Sequence, residues 1–185
     1  MLRFTRVAIL GACMAACAPA TTLELLGFDR LIAKATQVVR GRIGNCEGTY
    51  RGSMIYTQCT VSVLETLKGA PASQVKISVP GGHVGRIRQS IAGAPKFRLG
   101  SEYVLFLWTS PTVGLSDGFT QIMGLSQGKF EVQGAGPTQT AVRTAVADVT
   151  MLDGMGQPVE DAGVKMTVAH LREMVAAQAV QGVQK

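Results

Sequence analysis

The chain is poor in aromatic residues, in charge and in histidine. Phe, Tyr and Trp make up 5% of its 185 residues, charged residues make up 16%, and there are two histidines. Barrel proteins that take single-stranded nucleic acid stack its bases on aromatic side chains. So few aromatics, several of them at expected core positions, exclude that role. Two histidines cannot furnish a histidine-rich metal site. No uncharged apolar run reaches the roughly 18 residues of a membrane-spanning helix, which argues against a polytopic membrane protein. Four cysteines are too few for a disulfide scaffold. What the chain does have is apolar material. At 46% hydrophobic it can bury one core, which excludes a disordered tail.

Residues 1–20 read as a secretory signal peptide. Arg3 and Arg6 form a positive start, a short stretch of apolar and small residues runs to Cys17, and Ala18-Pro19-Ala20 offers a cleavage point before Thr21. An alternative stays open. Leu10-Gly11-Ala12-Cys13, and less well Met14-Ala15-Ala16-Cys17, resemble a bacterial lipoprotein box, which would make Cys13 or Cys17 the lipidated first residue and tie the protein to a membrane. Cleavage after Ala20 removes two of the positive charges behind the net +6 and leaves a mildly basic domain. The expected location is the periplasm or cell envelope.

Export makes a disulfide the default for the remaining pair, Cys46 and Cys59. Residues 37–45 and 54–67 read as strands joined by a tight turn at Gly52-Ser53. Counting outward from that turn, Arg51 faces Met54 and Cys46 faces Cys59, at a position where alternation predicts a non-hydrogen-bonded pair and close Cα atoms. Parity raises a conflict. Cys59 shares a face with Val61 and Val63, whereas Cys46 falls in step with Arg40 and Arg42 rather than Val39 and Ile43. A bulge at Gly44-Asn45 resolves it by shifting the strand one residue and bending it.

Other elements follow from periodicity. Phe28, Leu31, Ile32 and Ala35 recur at helical spacing after Gly27. Residues 74–79 alternate polar and apolar as a half-buried strand does, and Pro80-Gly81-Gly82 ends it. Residues 103–108 are apolar on both faces and form the expected most buried strand, with shorter candidates at 119–123 and 129–132. A possible hairpin near Asp153-Gly154 precedes a helix carrying Val164, Val168, Leu171 and Val175, capped by Thr167. The expectation is a mainly β fold: a small antiparallel OB-like barrel of five to six strands, with a short N-terminal helix and a C-terminal helix. Residues 21–133 form the barrel domain and 134–185 a hairpin and helix extension.

Four segments carry a resemblance. They are Val38-Val39-Arg40-Gly41-Arg42-Ile43; Tyr56-Thr57 leading to Val63-Leu64-Glu65-Thr66-Leu67-Lys68-Gly69; the strand from Val75 to Gly82; and Leu99-Gly100-Ser101-Glu102-Tyr103-Val104-Leu105-Phe106-Leu107. Over about residues 28–132 the pattern resembles uncharacterised exported bacterial proteins and, more distantly, the OB barrel of the netrin and tissue-inhibitor-of-metalloproteinase superfamily. These are framework residues, so the resemblance implies fold rather than activity. The inhibitors chelate a protease's zinc through a mature N-terminal cysteine. A start at Thr21 supplies no such residue, and acylation of Cys13 or Cys17 would block it.

Catalytic patterns are sparse. His83 lies in the glycine-rich run 81–85 and could act as a base in an envelope hydrolase, but no G-x-S-x-G elbow or paired acid accompanies it. The run lacks the Gly-Lys-Ser/Thr ending of a phosphate loop. His170 and Glu173 sit one helical turn apart without a second ligand pair. No cofactor is expected. The remaining feature is segment 80–98, which carries His83, Arg86, Arg88, Lys96 and Arg98 and no acidic residue. Its functional reading is a mobile basic loop that meets an envelope protein, an anionic glycan or a lipid headgroup; its plain reading is a solvated connection. The chain is therefore read as a non-enzymatic binding module. The alternatives are an inhibitor-like domain working without zinc chelation, or a hydrolase using His83.

Overall fold

A computed structural model describes residues 21–110 and 119–181, with side chains through Gln178. The expected signal segment, with Cys13 and Cys17, lies outside the described residues. In chain order the elements are β1 Thr21–Glu24, α1 Phe28–Lys34, β2 Gln37–Arg51, β3 Met54–Lys68, β4 Gln74–Pro80, β5 Gly82–Val84, β6 Ile87–Gln89, β7 Glu102–Thr109, β8 Thr120–Ile122, β9 Lys129–Gln133, β10 Thr140–Arg143, β11 Val149–Leu152, β12 Val164–Thr167 and α2 Val168–Gln181.

The fold is mainly β with two helices. Its main sheet is antiparallel and runs β12-β10-β9-β7-β2-β3-β4, with β8 as an eighth strand sharing with β9 one edge of β7. Two expectations are corrected. The strand count exceeds five or six because residues beyond 133 add β10 and β12 to the same sheet. The sheet is also not a closed barrel: β4 lies alongside β8, but no ladder joins them among the described residues. Two small pairs complete the fold, β5 with β6 and a parallel pair of β1 with β11.

The bend comes from β2 and β3. They pair from the turn at Gly52, whose φ of 61° suits glycine, with Arg51 opposite Met54 and Cys46 opposite Cys59. The register then shifts between Ile43 and Cys46, where the parity conflict placed a bulge, and shifts again nearer the start of β2. Each shift adds local twist, so a fifteen-residue hairpin coils instead of lying flat. Cys46 and Cys59 are disulfide-bonded with Cα atoms 4.1 Å apart, close to the spacing of a non-hydrogen-bonded pair.

β7 is buried on both faces, as its unbroken apolar sequence requires. Tyr103, Leu105 and Leu107 point into the concave side, where they meet Val39, Ile43, Cys59, Val61, Ile77 and Ile122. Val104 and Phe106 point the other way, into a second core closed by α1 and α2 through Leu31, Ile32, Ala35, Val168, Leu171 and Val175. Phe106 makes edge contacts with Phe28 and a tilted one with Phe130, ring centroids 5.5 Å apart in both cases. Thr167 caps α2, its Oγ1 accepting from the His170 N–H at 3.1 Å.

Candidate functional site

Segment 80–98 is a clamped hairpin followed by a folded loop, not one long open connection. The Gly81 N–H donates to the Ile55 carbonyl at 2.8 Å, the Thr57 hydroxyl donates to the Gly81 carbonyl at 2.9 Å, and Gln89 Oε1 accepts from the Ile55 N–H at 2.7 Å. These bonds hold the β5–β6 hairpin against the start of β3. On its other side β2 passes so close that a Cβ at Gly48 would lie 1.8 Å from the His83 carbonyl oxygen. Only glycine permits that approach.

The loop after β6 is pinned from below. Ser126 donates to the Gly93 carbonyl through both its N–H and its hydroxyl, and the Gly100 N–H donates to the Ile43 carbonyl at 2.7 Å. Phe97 stands edge-on to Tyr103 at 5.1 Å. Beneath the loop Lys129 Nζ donates to the Lys96 carbonyl at 2.9 Å and lies within 6 Å of both ring centroids. Burial there pushes the Lys129 ammonium below its ordinary pKa.

Between hairpin and loop opens a cavity of about 400 Å³. The hairpin side contributes Arg88 and Ser90, the loop side Lys96, Phe97 and Leu99, and the wall between them contains Val79 and the Cys46–Cys59 disulfide. The five basic candidates do not form one set. His83 and Arg88 face each other across the β5–β6 ladder, Arg86 occupies the turn, and all five side chains are exposed. Arg88 and Lys96 line the cavity. Arg98 does not belong with them: Glu131 of β9 pairs with its guanidinium, and that hydrogen bond raises its pKa above the ordinary value. No ion pair engages Arg86, Arg88 or Lys96 among the described residues. The segment's lack of acids thus leaves uncompensated only the cations that Glu131 does not reach.

Sequence reasoning missed the disulfide's place in the cavity wall and the part of Leu99, 66% exposed beside the basic residues. An apolar residue between Arg98 and a turn glycine was the available signal for Leu99. For the disulfide there was none, because it depends on how the hairpin folds over β2 and β3.

The other candidates are not assembled for chemistry. No hydrogen bond or ion pair joins His83 to a carboxylate or hydroxyl among the described residues. His170 and Glu173 lie 3.7 Å apart on the exposed side of α2 as a simple pair. The described residues contain no group of three or more side chains able to hold a metal ion, and no helix among them is long and apolar enough to cross a membrane. Elsewhere charge is structural. Arg172 of α2 grips Glu65 through two hydrogen bonds of 2.7 and 2.9 Å, and Arg40 joins Glu65 to Glu102 on the outer face of the sheet. Comparison with protein-family models, with curated proteins and with solved structures finds no match for this chain.

Proposed function

We propose that this protein is an exported, non-enzymatic binding module of the cell envelope whose cavity holds an anionic group joined to an apolar one. The carrying observation is that Arg88 and Lys96, without acidic partners among the described residues, line the same cavity as Phe97 and Leu99. Cations set on an apolar wall attract an anion by charge and retain its apolar part by burial. The disulfide supports an oxidising compartment. The bent hairpin and the approach of β4 to β8 support an OB-like architecture, consistent with the distant resemblance to the netrin and inhibitor superfamily.

Calorimetric titration with octyl sulfate and with octyl glucoside tests the reading, because the two share an alkyl chain and differ in charge. Octyl sulfate is expected to bind at least about tenfold more tightly, and Arg88→Glu with Lys96→Glu to abolish that preference. Equal affinity for both, or a preference that survives the double substitution, overturns it.

A further inference from the structure

Exposed apolar side chains and unpaired cations coincide on this protein. Leu99 is 66% and Ile87 58% exposed, the highest values among the large hydrophobic residues described apart from Met155 at 83%. Both lie in the basic segment and its end. Ile87 stands between Arg86 and Arg88 at the hairpin turn, on the ribbon face opposite Arg88, which lines the cavity, while Leu99 follows Arg98 and shares the cavity wall with Lys96. A polar residue would serve equally well at a hairpin edge or before a turn glycine, and exposed branched aliphatics set among cations have a specific use at one kind of surface.

We infer that this end of the molecule docks on an anionic phospholipid membrane, with Arg86, Arg88 and Lys96 at headgroup level and Ile87 and Leu99 entering the boundary with the acyl chains. The inference rests on the proposed binding of anions and names their source as lipid headgroups presented in a bilayer. Three observations favour this occupant over a soluble acidic partner. No ion pair engages Arg86, Arg88 or Lys96 among the described residues, so their charge is available to an anionic surface. The apolar residues stand on two separate supports, hairpin and loop, each tied to the sheet by backbone hydrogen bonds, so they can enter a soft interface without rearrangement. The cavity between them is large enough for a phosphate-bearing headgroup. A fluid interface presents charge and apolar depth together, which a rigid protein surface must match residue by residue.

Vesicle co-sedimentation tests it, with the purified protein carrying Cys13→Ser and Cys17→Ser so that no acyl chain contributes. Vesicles of phosphatidylglycerol with phosphatidylcholine are compared with phosphatidylcholine alone, at low and at high salt. The expected result is binding to the anionic vesicles that weakens with salt, falls about tenfold in Ile87→Ser with Leu99→Ser, and disappears in Arg86→Glu with Arg88→Glu. The substituted side chains are exposed, so unchanged melting temperatures will show that the variants fold. Anionic vesicle binding that is indifferent to both pairs of substitutions overturns the inference. Failure to bind vesicles alongside retained octyl sulfate binding also overturns it but leaves the proposed function standing, whereas failure of both removes the two together.

Discussion

The concave and convex faces of the sheet meet at β7 and are finished in opposite ways. On the convex side two helices cover Phe106 and Phe130, and the Arg172–Glu65–Arg40–Glu102 chain of charges ties α2 to β2, β3 and β7. On the concave side no helix among the described residues covers the core; a disulfide and a small hairpin stand at its rim and leave a cavity. One strand thus supports two buried cores, one covered by helices and the other bordered at its rim by the cavity. The helices and the chain of ion pairs are concentrated on the face away from the cavity.

The helix-covered convex core carries the largest single expected effect. Phe106→Ala should cost about 4 kcal/mol in urea unfolding, because it removes a buried ring and two aromatic contacts. Next comes the buried pair near the convex sheet's far edge, where Asp161 accepts both guanidinium nitrogens of Arg143 at 2.7 Å and the N–H groups of Val146 and Gly163 at 3.0 Å. Burial alone would raise the Asp161 carboxyl, but these bonds outweigh it and hold its pKa below the ordinary value. Its contribution to stability is therefore complete above about pH 4 and is lost as the pH falls through the lowered folded value. Asp161→Asn should cost about 3 kcal/mol at neutral pH and flatten the acid limb of a stability profile. An unchanged acid limb would show that other carboxylates set it.

The smallest effect of the three belongs to the concave rim. Cys46→Ser with Cys59→Ser should cost about 2 kcal/mol, with hydrogen exchange rising in β2 and β3 near Gly52 while α2 keeps its protection. Uniform loss of protection across both faces would erase the distinction between them.

Local rules made much of this legible. The turn at Gly52-Ser53 sets the hairpin register, two cysteines confirm it, and the clash of parity between Arg42 and Cys46 locates the bend. β7 announces its burial by having no polar face, and Thr167 announces the start of α2. What escaped was non-local. The four-residue β1 finds a parallel partner in β11, more than a hundred residues away, and no periodicity carries that information. The same holds for Glu131, which neutralises Arg98 from β9, and for Gln89, whose side chain reaches the backbone of Ile55 and turns an expected loop into a fixed hairpin. The candidate site was legible as a set of residue types and illegible as a shape.

The pairing of β1 also orders events in time. Thr21–Glu24 binds to Val149–Leu152, and the Gln127 side chain fastens the same stretch by accepting from the Leu26 N–H at 2.8 Å and donating to the Glu24 carbonyl at 3.0 Å. A ribosome makes the first of these segments long before the last. The stretch from 21 to 24 must therefore wait, undocked, until residue 152 has emerged. Residues 149–152, in the last third of the chain, then complete the pair, and the side chains of 21–24 stay half-buried or exposed on it.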